Sequence, residues 1–479
     1  MAVLDDIQSD LQSPEAGTHQ LSKRIALSDS ATKHLPLEIL AKIFMHCLDR
    51  SVSTGHAEIR IPGDPLPPAP WMLSQVCSRW RRIVLTEPQL WNSVIFDGDE
   101  NHIPMLEKAL ERCGRSSIGL NFSAYHIHHT NIIGDIILPR SSQFRELSLY
   151  LETDVFDEFL RLPPGLFDAL ECVDLSCKYS IRTPSEETRV FRGAPRLHRI
   201  TIRIPQEELS RFRSFPLPLG LPWAQLTHFN FGAIGMPLTI VHKLMNLGSN
   251  LHECHLCLYD DSDIIDPLDA REHSTGTILL PRLRELELDV KEQYATVDLY
   301  CRYLRPLRLP ALQKFKFVLP ESAEQPTSVF AAMIADLSSP SLCSELSFYM
   351  ETQFGFFPAE IVAPLTFVTC IKFPFCPLPR SVMELIFQGK IFPKLVSLCV
   401  HIDTADMEAF ITMLRMQWST KSQSQLPHTV TRIRSARICI NNASTAVLSH
   451  FTQEIDQLRD QFDLDIRLMQ TLYDFHCQC

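Results

Sequence analysis

Glycine is scarce in this chain, with 16 in 479 residues, and none of them falls in a string of the G-x-G-x-x-G or G-x-x-x-x-G-K kind. A loop that cradles phosphate needs such glycines so that backbone amides can approach the ligand, so the nucleotide-binding classes lose their usual signature. Basic surplus is lacking too. Lys and Arg number 45 against 56 Asp and Glu, a formal charge of -11, so the positive field of a general nucleic-acid binder is absent. No stretch reaches the roughly 18 consecutive apolar residues that a bilayer span needs. Met1 to Ser13 carry Asp5, Asp6 and Asp10 where a secretory signal would carry a basic start and an apolar run. Neither nucleic acid nor membrane is expected as a partner, and the reading places the protein in the cytoplasm, the nucleus or both.

Cysteine is plentiful, 15 in all, but residues such as Cys47, Cys77, Cys343 and Cys399 stand singly within apolar runs. That usage suits small hydrophobes in a reducing compartment and not a disulfide framework. A hydrophobic share of 45% with 21% charged residues describes a folded chain. At this length it is either several domains or one module followed by a repeat array.

Residues 1–33 are polar, with a loose apolar spacing that a frayed helix would give. The pattern sharpens at His34-Leu-Pro-Leu-Glu-Ile-Leu-Ala-Lys-Ile-Phe-Met-His-Cys-Leu48, where Pro36 suits a first helical turn and Leu37, Leu40, Ile43, Phe44 and Cys47 follow at helical spacing. The Ser-, Gly- and Pro-rich stretch 49–70 cannot continue that helix and is expected as an exposed loop. A second helix is expected over Trp71–Leu85, with Leu73, Val76, Cys77, Trp80, Ile83 and Val84 on one face, and a short third element from Gln89-Leu90-Trp91.

The order Leu35-Pro36-Leu37-Glu38-Ile39-Leu40 with Ile43-Phe44, then Val76-Cys77-Ser-Arg-Trp80, then Pro88-Gln-Leu90-Trp91, resembles an F-box, most closely those abundant in fungi. The resemblance covers residues 34–95; the insertion 49–70 departs from the compact motif. It implies a three-helix module whose Leu35, Pro36, Leu37, Glu38, Ile39, Leu40, Ile43, Phe44, Val76, Cys77, Trp80, Leu90 and Trp91 serve a Skp-family adaptor and, through it, a cullin. The plain alternative is three amphipathic helices of a larger helical core.

From about residue 118 short apolar-alternating strings recur. Four share one form: Pro195-Arg-Leu-His-Arg-Ile-Thr-Ile202, Pro281-Arg-Leu-Arg-Glu-Leu-Glu-Leu288, Pro310-Ala-Leu-Gln-Lys-Phe-Lys-Phe317 and Pro393-Lys-Leu-Val-Ser-Leu-Cys-Val400. Looser copies begin at Phe144, Leu170, Leu226, Leu251, Cys343 and Val368, and consecutive starts are 25 to 32 residues apart. Helical patterns fall between them at 237–246, 328–337, 380–387 and 405–416. Strand, turn, helix, turn in about this length is the unit of a leucine-rich repeat. The fold expected is therefore α/β: the three-helix module, then over 96–479 a leucine-rich-repeat-like solenoid with a parallel sheet on its concave face, closed by a helix at 445–462 and a strand at 464–469. The competing α/β reading, a doubly wound sheet, usually brings the glycine-rich loop that is missing.

Chemical candidates are few. Cys254-His-Leu-Cys257 has zinc-like spacing beside His252, yet a strand sends residues three apart to opposite faces, leaving Cys254 in the core and Cys257 at the surface. His126, His128 and His129 read as a polar loop, and Cys477 and Cys479 as a frayed end. No nucleophile or paired-carboxylate signature is present, so a non-catalytic chain without metal or cofactor is expected. Outward positions of the repeat strands would line a binding face for an unidentified protein substrate: Tyr150, Arg199, Arg203, His228, Glu285, Glu287, Lys314, Lys316 and Tyr349. The sum is a substrate receptor of a Skp/cullin/F-box ubiquitin ligase. An adaptor-binding scaffold without a degradative role, or a repeat scaffold outside any ligase, are the alternatives.

Overall fold

A computed structural model describes residues 34–50, 57–61, 68–123, 131–178, 189–203, 221–259, 277–290, 304–319, 345–350, 366–418, 431–440 and 445–469. The chain is mixed α/β and divides into two compact units, Met1–Leu151 and Glu152–Cys479.

In the first unit, helix α1 (Leu37–His46) is followed by a short antiparallel pair, β1 (Asp49–Arg50) with β2 (Ala57–Ile61). Helices α2 (Ala69–Val76) and α3 (Ser78–Thr86) come next, then a single 3₁₀ turn at Pro88–Leu90. Strands β3 (Ser93–Phe96), β4 (Ile118–Ser123) and β5 (Phe144–Leu151) run parallel to β2 in chain order, with α4 (Ile103–Arg112) between β3 and β4. Phe96 and Phe122 stack at 5.1 Å across β3 and β4.

Two expectations are corrected here. Stretch 49–70 is not simply an exposed loop: Ala57-Glu-Ile-Arg-Ile61 alternates, and Ile59 and Ile61 are buried as β2 pairs with β3. The parallel ladder therefore begins well before residue 118. The helix expected over Trp71–Leu85 is two helices, because Cys77 is extended at φ -160°, ψ 168° and serves as the N-cap of α3. The break frees carbonyls at the end of α2, and the Arg81 guanidinium donates to one of them, Ser74 O, at 2.8 Å.

In the second unit β6 (Cys172–Cys177), β7 (Arg199–Arg203), β8 (His228–Pro237), β9 (Glu253–Tyr259), β11 (Glu285–Val290), β13 (Lys314–Leu319), β14 (Glu345–Met350), β15 (Cys370–Pro377), β16 (Ser397–His401), β17 (Ser435–Cys439) and β18 (Asp465–Met469) pair in chain order. Every pairing is parallel. A separate two-stranded parallel sheet joins β10 (Ile278–Leu279) to β12 (Leu307–Arg308). Helices α5 (Thr153–Leu160), α6 (Leu238–Leu247), α7 (Arg380–Phe387), α8 (Thr404–Trp418) and α9 (Thr445–Phe462) lie between strands. A large parallel sheet in which each strand meets the next in sequence is compatible with a solenoid-like repeat.

The Pro-x-Leu lead has a physical cause. In each of the four copies the leucine N–H closes a four-residue turn onto the residue before the proline: Leu197 to Ala194 O, Leu283 to Leu280 O, Leu312 to Leu309 O and Leu395 to Phe392 O, at 3.0 to 3.4 Å. Proline thus stands at the second turn position, where its fixed φ is an advantage. Leu170, Leu226 and Leu251 close the same turn without proline. Each lead leucine is buried, and its strand starts two residues later. Between them, one carbonyl accepts two successive N–H groups of the next repeat, as His198 O does from Thr227 and His228 and Arg284 O from Gln313 and Lys314. Gln225 extends the tie by donating to the turn carbonyls of Ala194 (2.6 Å) and Leu197 (2.8 Å).

The helix expected at 405–416 is α8, with Met407, Phe410, Ile411 and Leu414 buried as the spacing predicts. The expected closing elements are α9 and β18. Residues 1–33, the helix at 328–337, the histidines 126, 128 and 129, and Cys477 and Cys479 lie outside the described residues.

Since the lead leucine fixes where each strand begins, Leu312→Ala should cost about 2–5 kcal/mol and Leu312→Met under about 1.5. Urea unfolding followed by circular dichroism measures both; equal costs for the two would show that the turn, and not the buried volume, holds the repeat.

Candidate functional site

Helix α1 is apolar on two sides. Leu40, Ala41 and Phe44 are buried, while Ile39 and Ile43 on the other side are both 42% exposed, and Leu37, on the buried stripe but in the first turn, is 48% exposed. A helix of a soluble domain normally keeps one apolar stripe and faces polar residues outward. The inner side is accounted for within the module: Phe44 meets Trp80 of α3 at 4.8 Å, and the Arg79 guanidinium donates to the Leu35 carbonyl. Trp91 is fully buried, its indole N–H donates to Val84 O at 2.7 Å, and it meets Trp71 edge-on at 4.8 Å with the Arg112 guanidinium 4.4 Å above its ring. The Cys113 thiol donates to Trp91 O at 2.9 Å, and burial pushes its pKa up to about 12, which leaves it an unreactive packing group.

The thirteen residues of the F-box resemblance thus divide. Leu40, Phe44, Leu90 and Trp91 are internal and hold the module together. Leu35, Cys77 and Trp80 are half-buried. Pro36, Leu37, Glu38, Ile39, Ile43 and Val76 are exposed, Val76 at 57%. Met72 and Leu85, which the motif did not single out, are exposed apolar residues on the same helices. Met72 lies four residues before Val76, the spacing that puts both on one face of α2. Of the ten large hydrophobic residues exposed among the described residues, six fall between positions 37 and 85.

The outward positions of the second unit's strands form two lateral rows. One runs Arg199, His228, Glu253, Glu285, Lys314 by register; the other Thr201, Asn230, His255, Glu287, Lys316. Carboxylates meet basic side chains across strands: Glu253 Oε1 is 3.2 Å from His228 Nε2, Glu285 Oε1 is 2.7 Å from Lys314 Nζ, and Glu287 Oε1 is near both His255 Nε2 (3.3 Å) and Lys316 Nζ (2.5 Å). Glu253 and Glu285 stand directly opposite each other, a repulsion offset by Lys314, which pairs with Glu285. Such partly exposed pairs contribute about 0–1 kcal/mol each, so the rows add little to stability. Arg203 pairs with Asp174 at 3.0 Å, Tyr150 is half-buried, and the side chain of Tyr349 lies outside the described residues.

Cys257 is buried, contrary to the surface position expected for it. Leu256, Cys257 and Leu258 are all buried in succession, so both faces of β9 are covered at that end, as in many parallel sheets. Burial alone raises the Cys254 thiol to about 12. Among the described residues no group of three or more His, Cys, Asp or Glu side chains is placed to hold a metal ion, and no helix is long and apolar enough to cross a membrane.

No family model matches the chain, and no curated protein matches it. Among solved structures it is similar to a chain in the crystal structure of the Rad7 and Elc1 complex in yeast, at 11% identity, with 90% of this chain and 94% of that chain covered and a TM-score of 0.36. A score that low carries no argument about fold or role.

Two histidines make the second unit sensitive to acid. His228 is held below its ordinary pKa by burial, with Arg199 and His198 acting the same way and Glu253 opposing; burial does the same to His401, opposed by Asp403. The unfolded chain therefore binds these protons more readily than the folded one, and stability present above about pH 6.5 is lost as pH falls through the folded values. The thermal midpoint should fall from pH 7 to pH 5, and the fall should shrink in His228→Gln/His401→Gln; an undiminished fall would assign it to other groups.

Proposed function

We propose that residues 34–95 are an F-box that docks on a Skp-family adaptor, and through it a cullin, while the repeat strands that follow hold a protein substrate for ubiquitin transfer. The observation that carries this reading is the second apolar side of α1. Ile39 and Ile43 stand outward on a helix whose other side is already packed, and Leu37 is exposed in its first turn. Leu37 and Ile39 fall within the motif Leu35-Pro-Leu-Glu-Ile-Leu40 and Ile43 follows it by three residues; the family resemblance implies adaptor contact at all three. A few aliphatic anchors on a helix face that lose water on binding supply most of the affinity in such interfaces. The chain does no bond chemistry in this scheme; it raises the local concentration of substrate and fixes its orientation. It works in the cytoplasm, the nucleus or both, without metal or cofactor. The substrate is a protein, met by the outward rows that include Arg199, His228, Glu285, Glu287, Lys314 and Lys316.

The division of α1 supplies a cleaner test than deletion. Ile43→Asp and Ile39→Asp alter exposed positions, so the circular dichroism spectrum should be unchanged while co-purification with a Skp-family adaptor weakens by about 30-fold or more. Phe44→Ala should instead unfold the module. A folded wild-type chain that retains no adaptor would end the ligase reading.

A further inference from the structure

The chain is acidic as a whole, yet its exposed apolar helices are not. Across α1, α2 and α3 four cations, Lys42, Arg79, Arg81 and Arg82, stand against the single anion Glu38, a net +3 within a chain of -11. Lys42, Arg81 and Arg82 are exposed. Their places relative to the apolar residues are set by helix geometry: Lys42 follows Ile39 by three and precedes Ile43, and Arg81 and Arg82 precede Leu85 by four and three. Two of the arginines also tie the helices together, Arg79 to the Leu35 carbonyl of α1's entry and Arg81 to Ser74 O of α2. The same helix, α3, thus fixes the apolar residues of its neighbours and carries the positive charge beside them.

Building on the adaptor-docking reading above, we propose that this surface is matched to a protein partner whose apolar docking face is rimmed by carboxylates, and that Lys42, Arg81 and Arg82 act on the rate of encounter. Charge at the rim of an apolar contact steers approach and excludes partners of the wrong sign, while the buried anchors govern how long the complex lasts. The sign reversal is what gives this surface its selectivity. The acidic surplus of the rest of the chain opposes an acidic partner, so approach is favoured at the helices that carry Ile39, Ile43 and Val76. Salt screens this steering over about 8–10 Å, so its influence belongs to low and physiological ionic strength.

The test uses the full-length chain and a purified Skp-family adaptor in a surface or stopped-flow measurement from about 20 mM to 500 mM salt. Wild type should associate about tenfold or more faster at the low end, and Lys42→Glu/Arg81→Glu/Arg82→Glu should lose that gain with its dissociation rate little changed. Ile43→Asp should show the reverse, fast dissociation with salt dependence kept. Equal association rates and equal salt slopes in wild type and the triple variant would overturn the rim while leaving adaptor docking intact. Absence of binding by folded wild type would instead remove the docking reading itself. Concentration-dependent dimers in sedimentation, or sedimentation with anionic vesicles, in place of adaptor binding would hand the surface to a second copy or to lipid and overturn the proposal. Arg81→Gln, which keeps a donor for Ser74 O, separates loss of charge from loss of the helix tie: steering should fall while the thermal midpoint holds.

Discussion

A single carbonyl per repeat organises the second unit. The residue just before the strand, Glu171, His198, Thr227, His252, Arg284, Thr369 or Val396, accepts two consecutive N–H groups from the repeat that follows, and this places the next strand in parallel register before any side chain contributes. Parallel pairing offers no hairpin to fix register, so the fixing has to come from the ends of the strands. Here it comes from a turn that buries one leucine and presents one carbonyl. The ion-paired rows above depend on it: His228 reaches Glu253, and Lys314 reaches Glu285, because their strands begin at the same height.

The first unit is governed by a different constraint, the sharing of apolar surface. Three short helices have too little area to bury all of their apolar side chains, so Phe44, Ile83, Val84 and the following Trp91 take the interior, Trp80 is half-buried against Phe44, and Ile39, Ile43 and Val76 are left outside. That outcome links stability to function in one helix. The side of α1 that folds the module and the side that remains for a partner are separated by one residue, Ile39 against Leu40 and Ile43 against Phe44.

Much of the repeat pattern was legible in the sequence because the Pro-x-Leu turn and the apolar residues three and five positions later are local signals. The strand at Ser435 escaped notice although it obeys the same rule. Its lead is Ile433 and its fifth position Ile438, but the third is Ala436, too small to register as an anchor. Strand β2 was hidden between a Ser- and Gly-containing stretch and a run of prolines, and the break at Cys77 has neither proline nor glycine to announce it. The division of the F-box residues into inner and outer could not be read at all. Leu40 and Ile39 are alike in apolarity and neighbours in sequence, and what separates them is that Leu40 shares the face of Phe44, which packs on Trp80 of another helix across the insertion. Likewise the burial of Cys257 depends on what covers the far end of β9 and not on its alternation.

The turn at the head of each strand also bears on how the chain can change its length. Because register is reset at every lead leucine, residues added between one helix and the next turn do not propagate a shift into later strands. The steps between starts already vary from 25 to 32 residues while the strands keep their alignment. The entropic cost of a longer connection grows only logarithmically, about 0.6 kcal/mol per doubling. Each repeat can therefore lengthen its loops independently, and the array can gain new surface at one level without disturbing the contacts it has made at the others.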